Sequence, residues 1–253
     1  MQKKQTRHSL RTGKCFMVLG LFLLLASFSL TLYNFYDERQ AAASVDRVLL
    51  ALDEADKNKV GGEADGSGEK GDGSAMSSGQ NGDGIPDGNG TAGGAFGFPD
   101  GFPQDSAGEL VIPDYILNPD IPMPETVVEG NAYIGKLELP ELGLRLPVMS
   151  EWSYPKLKKA PCCYQGSAYT GDLIIAGHNY KRHFNGLKRL KTGSRVILTD
   201  EAGNVFRYHV SKIERLDGYA VEEMEAGDWD LTLFTCTLGG SVRLTLRCKL
   251  EEG

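Results

Sequence analysis

Hydrophobic and polar positions follow three patterns along the chain, and each predicts a different kind of element. From Cys15 to Tyr36 the sequence is uncharged and mostly apolar. That is long enough for a helix to cross a hydrocarbon core, which takes about 20 residues. From Ala41 to Lys59 apolar residues return at Val45, Val48, Leu49 and Leu52, the spacing of a helix with one narrow apolar stripe. Such a stripe suits a stalk, a self-association seam or a marginal helix with no partner. After Asn131 the pattern shifts toward short strand-like runs. They fall at Ala132–Leu139, Leu144–Met149, Asp172–Gly177, Arg195–Thr199, Val205–Arg215, Leu231–Cys236 and Val242–Leu250. Turn signals at Leu142-Gly143, Thr192-Gly193-Ser194 and Glu201-Ala202-Gly203-Asn204 separate several of them. Seven or eight short strands in about 120 residues predict a mostly β fold, a closed or nearly closed barrel. Short helices are expected near Tyr154–Lys159 and Lys181–Leu190.

Composition changes the picture between these regions. Of the 32 glycines, 16 lie between Gly61 and Gly108, among Ser, Asp and Asn with few large apolar residues. Such a stretch buries too little to offset its ordering entropy, so residues 61–110 read as a disordered, flexible linker that lets the barrel range over a wide zone. Asn81-Gly-Asp-Gly-Ile-Pro-Asp-Gly88 has the look of a calcium loop but lacks the closing Glu. From Val111 to Val128, Pro113, Pro119, Pro122 and Pro124 alternate with Tyr115, Ile116, Leu117, Ile121 and Met123. Prolines keep this segment extended and the apolar residues give it something to dock, so residues 111–130 are read as a strap or a lid.

The net charge of −7 is unevenly spread. Residues 1–36 hold five bases and no acids; residues 37–130 hold 19 acids and five bases; residues 131–253 hold 15 acids and 17 bases. An acidic middle argues against a nucleic-acid binder. The bases Lys3, Lys4, Arg7, Arg11 and Lys14 keep the N-terminus inside, and Tyr33, Phe35 and Tyr36 suit an interfacial belt. A cleaved signal peptide is the competing reading, with Leu25-Ala26-Ser27 as its small-residue context. The long run and the lack of a clear cleavage site favour an anchor. The expected order is a basic tail at 1–14, a transmembrane anchor at 15–36, a juxtamembrane helix at 37–60, the linker, the strap or lid, and a folded domain at 131–253 on the outer side of the cell membrane.

The chemistry concentrates in the last two runs. Side chains alternate faces along a strand, so Cys236 points with Thr232 and Phe234, away from Leu231, Leu233 and Thr235. Six residues separate Cys236 from Arg243, which makes them direct cross-strand neighbours across a symmetric turn. A guanidinium beside a thiol favours the nucleophilic thiolate. Leu173-Ile-Ile-Ala-Gly-His178 delivers a histidine at the end of an apolar run, well placed for a cleft. An isolated strand cysteine is otherwise a small buried hydrophobe. Of the remaining cysteines, Cys248 sits on an apolar strand face, and Cys162 or Cys163 could pair with it. No CxxC or HxxxH spacing points to zinc.

From about Asn131 to Leu250 the chain resembles a sortase, a cysteine transpeptidase of Gram-positive cell surfaces. The resemblance rests on Tyr133-Ile-Gly-Lys-Leu-Glu-Leu-Pro140, Leu146-Pro-Val-Met149, Ala176-Gly-His-Asn179, Phe184-Asn-Gly-Leu-Lys-Arg-Leu190, Thr232-Leu-Phe-Thr-Cys236 and Arg243. It implies the sortase β-barrel, with Cys236 as nucleophile, His178 as acid and base, and Arg243 holding substrate and oxyanion. Thr235, matching the family's Thr-Cys pair, is a candidate for substrate contact or a packed strand threonine. The implied partners are secreted proteins with a C-terminal, LPXTG-like sorting signal and an amine from a peptidoglycan precursor or a pilin. No cofactor is implied; calcium modulates part of the family, but Glu222, Glu223 and Glu225 read as a solvated acidic turn. The short Cys-to-Arg loop and the lack of a second apolar span favour wall anchoring over pilus assembly. A hydrolytic thiol peptidase and a tethered peptide-binding module are the rivals.

Overall fold

The computed structural model of the chain describes residues 3–62, 112–236 and 240–251, with the side chains of the first helix from residue 16 to residue 59. The glycine-rich linker, apart from its first two residues, and the calcium-like stretch within it lie outside the described residues, as does the turn at 237–239. Helix α1 spans Lys3–Gly62 without interruption, so the apolar segment and the striped segment form one rod. Its apolar part is long enough to cross a membrane by length and composition and is not buried against the rest of the protein.

Among the described residues nine strands follow: β1 Thr126–Val128, β2 Asn131–Leu139, β3 Leu144–Met149, β4 Cys162–Gln165, β5 Leu173–Gly177, β6 Arg195–Asp200, β7 Val205–Asp217, β8 Leu231–Cys236 and β9 Val242–Leu250. They run in the order β1-β2-β3-β4-β5-β8-β9-β7-β6, and an antiparallel β2–β6 pairing closes β2 to β9 into an eight-strand barrel. All seven runs with strand character are strands. The eighth, β4, was not expected because Cys162-Cys163-Tyr164-Gln165 lacks alternation; it pairs antiparallel to β5 with an irregular step between Cys163 and Gln165. The helix expected over Tyr154–Lys159 is α3, Tyr154–Leu157, with Ser153 accepting the Lys156 N–H at its start. The one expected at Lys181–Leu190 is a 3-10 helix, Phe184–Arg189. The short α2, Asp114–Leu117, precedes the barrel.

Inward-facing Leu137, Leu146, Ile175, Leu198, Leu233 and Leu246 are fully buried and fill the interior. The parallel pair β5–β8 is buried on both faces, as parallel strands tend to be. Outside it, Ile174, Ala176 and Phe234 pack under Met224 of α4, Val221–Glu225. Arg247 holds α4 in place. Buried beneath the helix, it donates to the carbonyl oxygens of Met224 (2.6 Å) and Glu223 (2.5 Å), to Thr232 Oγ1 (3.1 Å) and to Glu214 (2.8 Å). The three glutamates thus stay in solvent on a helix that Met224 pins.

The stripe on α1 has a partner, and it is the barrel. Val45, Val48 and Leu52 are at most 1% exposed. Val48 and Leu52 pack with Tyr133, Met149, Ala160 and Cys162. Burying three such side chains stabilises the docked helix by roughly 5 kcal/mol or more. Flanking polar contacts fix its register. Arg145 grips Asp53 with two bonds of 2.7 Å, and the buried Lys136 ammonium pairs with Asp56 and Asp53. The helix is therefore neither a free stalk nor a self-association seam in this fold, and the barrel is fixed to the rod rather than ranging away from it.

The segment before the barrel lies far from the end of β5. Tyr115 stacks on Tyr169 at 4.5 Å, and Tyr169 donates to Asp200 at 2.6 Å. Tyr169 precedes β5, whereas His178 follows it. The described part of this segment thus straps one pole of the barrel while His178 occupies the other. Lys59, near the end of α1, reaches the same strapped pole through the Glu201 carbonyl at 2.7 Å.

Candidate active site

Three strand ends bring the candidate residues to one pole. Strands β5 and β8 run parallel, with Gly177 opposite Thr235, so His178 and Cys236 leave neighbouring strands at the same level. Strands β8 and β9 are antiparallel, and Cys236 stands directly opposite Arg243, the pairing expected from their spacing. The exposed thiol at Cys236 faces the outside of the barrel with Phe234. Thr235 points the other way and is buried, its hydroxyl without a partner among the described residues.

Gly177 shapes the exit from β5. A Cβ there would fall 2.2 Å from the Phe184 ring, so only glycine lets that ring close beneath the strand end. The chain then folds back on itself, with the Phe184 N–H bonded to the His178 carbonyl at 3.1 Å and the His183 N–H bonded to the Tyr180 carbonyl at 3.0 Å. This tight loop presents the His178 ring against Tyr180, their centroids 3.8 Å apart and nearly parallel. Tyr180 in turn donates its hydroxyl to Asp37 on α1 at 2.5 Å, and Lys158 pairs with the same carboxylate at 3.2 Å. His178 Nδ1 has no hydrogen-bond partner among the described residues. Among the described residues the imidazole is oriented by stacking, with no Asn or Asp acceptor.

The electrostatics of the pole follow from burial and one carboxylate. Half-burial pushes the His178 pKa below the usual imidazole range; the Asp37 charge opposes that push and Lys158 adds to it. Tyr180 is pushed up by burial and by its bond to Asp37, which keeps it a neutral donor. Asp37 is held low, chiefly by that same hydrogen bond. Behind Tyr180, the fully buried His183 is driven down to about 4 by desolvation, so it adds no positive charge beside His178 at neutral pH. The Arg243 guanidinium lies 5.3 Å from the Phe234 ring centroid, within cation–π range, and its buried Nη1 has no partner among the described residues.

The remaining described cysteines are free and differ in kind from Cys236. Neither Cys162 nor Cys163 is bonded to Cys248, and burial pushes Cys162 and Cys248 up to about 12 and Cys163 to about 11. Among the described residues no group of three or more His, Cys, Asp or Glu side chains could hold a metal ion. Sequence reasoning missed Tyr180 and Asp37. Nothing local marks either one, because their partnership depends on a helix 143 residues away.

The eight-strand barrel thus brings to one pole an exposed strand-end thiol, a histidine at the end of the adjacent parallel strand and an arginine across the antiparallel one. Residues 137–251 match the family model described as Sortase domain, and the chain carries a sortase domain. Similar solved structures include Sortase A from Corynebacterium diphtheriae, 20% identical over 49% of this chain and 62% of that one, with a TM-score of 0.44. Sortase C1 from Streptococcus agalactiae is 23% identical over 50% of this chain and 72% of that one, with a TM-score of 0.44. The Sortase D5 transpeptidase of Clostridium perfringens is 20% identical over 50% and 83% of the two chains, with a TM-score of 0.43. No curated protein matches the sequence.

Proposed function

We propose that this protein is a membrane-anchored cysteine transpeptidase that joins secreted proteins to an amine. The observation that carries this reading is the register that sets Cys236 opposite Arg243 and one strand from His178, inside a sortase domain. In the first half-reaction the Cys236 thiolate attacks the scissile carbonyl of an LPXTG-like sorting signal. Arg243 holds the developing oxyanion, and the His178 imidazolium gives its proton to the departing amine. A thioester to Cys236 remains. In the second, an amine of a peptidoglycan precursor attacks the thioester, neutral His178 takes its proton, and the thiolate leaves. The acyl-transfer energy stays in the thioester, so no nucleotide is consumed. Burial disfavours the His178 imidazolium, and the Asp37 carboxylate favours it.

The apolar part of α1 serves as a single-pass anchor, with the basic tail inside and the barrel outside. The test uses the full chain in detergent with Leu-Pro-x-Thr-Gly-like and Asn-Pro-x-Thr-x-like peptides and amine acceptors. Intact mass is expected to reveal a thioester adduct on the wild type and none on Cys236→Ala. An amine-capped product establishes transfer. Water as the sole acceptor points to a thiol peptidase, and no adduct with any peptide points to a binding module.

A further inference from the structure

We propose that the pole bearing His178 and Cys236 is a membrane-docking face, held down on the outer surface of the bilayer that α1 spans. The inference rests on reading α1 as the anchor, and it starts from the helix being one unbroken rod. The apolar run ends at Tyr36 and Asp37 follows it directly. Asp37 already binds Tyr180 and Lys158, while Glu38 accepts the Lys181 backbone N–H at 2.8 Å. Arg182 pairs with Asp46 two turns further on. At a rise of about 1.5 Å per residue, these contacts put the loops at 150–159 and 178–183 at the level where the helix leaves the hydrocarbon. The barrel has no freedom to lift away, because Val45, Val48 and Leu52 bury against it along the next two turns.

The side chains on those loops suit that level. Trp152 and Tyr154 are exposed, Tyr154 by 75%; Tyr154 opens α3, and Lys158 at the end of that helix pairs with Asp37. Amphipathic aromatic rings of this kind sit at the headgroup layer. The two loops hold five bases, Lys156, Lys158, Lys159, Lys181 and Arg182, against one acid, Glu151. Four of these cations are paired, Lys156 with Glu151 and Lys158, Lys181 and Arg182 with Asp37, Glu38 and Asp46 of α1, and Lys159 is exposed with no carboxylate partner among the described residues. The opposite pole holds four acids, Asp200, Glu201, Asp228 and Asp230, against the two lysines paired with them, Lys59 and Lys249. An anionic headgroup layer fits the first pole and repels the second. A reactant attached to the same membrane then meets Cys236 at its own depth, whereas a soluble one has to reach in along the bilayer surface.

The two tryptophans, Trp152 and Trp229, are natural probes of this pose, because Trp229 precedes β8 and so lies at the far pole from Cys236. Full-length Trp229→Phe and Trp152→Phe chains are reconstituted in phosphatidylcholine and phosphatidylglycerol vesicles carrying a nitroxide on the lipid headgroup. The chain that keeps Trp152 is expected to lose most of its emission, and the chain that keeps Trp229 is expected to retain it. Equal quenching of the two, or an unquenched Trp152 on protein that stays with the vesicles after an alkaline wash, overturns the docking face while leaving the anchor intact. Protein released by that wash overturns the anchor reading, and the docking face with it.

Discussion

Tyr180 donates its hydroxyl proton to Asp37 at 2.5 Å, and so ties the loop that carries His178 to α1 directly after its apolar run. The bond has two effects on one ring. It locks the stacking surface on which the imidazole lies, and it brings a carboxylate close enough to oppose the effect of burial on His178.

The two effects separate by mutation. Tyr180→Phe keeps the stacked ring and is expected to retain more activity than Tyr180→Ala, which loses both the ring and the link. Asp37→Asn removes the charge that raises the His178 pKa, so burial prevails and that pKa falls. The limb of the kcat/KM profile that reports His178 should move to lower pH, with lower activity at its plateau. An unmoved limb would show that Asp37 has no hold on the histidine.

Thiol reactivity should divide by burial. A membrane-impermeant alkylating reagent on the folded chain is expected to label Cys236 first, because Cys162 and Cys248 are buried and their thiols are pushed up to about 12. Peptide mapping checks the site, and Cys236→Ser should abolish the fast phase.

Removing both partners of Lys136 should loosen the rod from the barrel. Its side chain is only 5% exposed, and Asp53→Ala with Asp56→Ala leaves a buried ammonium unpaired, at a cost of about 3–5 kcal/mol. The Asp53 carboxyl is held below its usual range chiefly by its bond to Arg145. Its contribution is therefore complete above the ordinary carboxylate pKa and is lost as pH falls through the lowered one. Thermal unfolding of wild type and variant across that window checks both statements.

Arg243→Gln should lower kcat by about 10²–10³-fold, the usual effect of losing an oxyanion donor, with a smaller change in stability because the side chain is half-exposed. Arg243→Lys keeps the charge but loses the planar fork, so partial recovery would assign the role to charge and none would assign it to geometry. Single-turnover acylation measures it directly.

Most of the barrel was legible because a half-buried strand writes its period into the sequence. Where the period was missing, so was the prediction. Strand β4 reads Cys162-Cys163-Tyr164-Gln165 and is held by its neighbours, not by alternation. The stripe at Val45, Val48 and Leu52 was equally plain, but a stripe announces only that something must cover it. The strap of prolines and aromatics carried the same ambiguity until Tyr115 stacked on Tyr169.

The sequence by itself determined the two periods, the apolar run, the thiol and arginine with six residues between them across a turn, and the histidine at a strand end. These are local properties, set by alternation and by the distance along the chain. Tertiary structure decided what lies beside what over long separations. It sent α1 along the barrel, put Asp37 under Tyr180, and set the strap at the pole opposite His178. Such contacts depend on complementary shape and charge between distant segments, which no window of sequence contains.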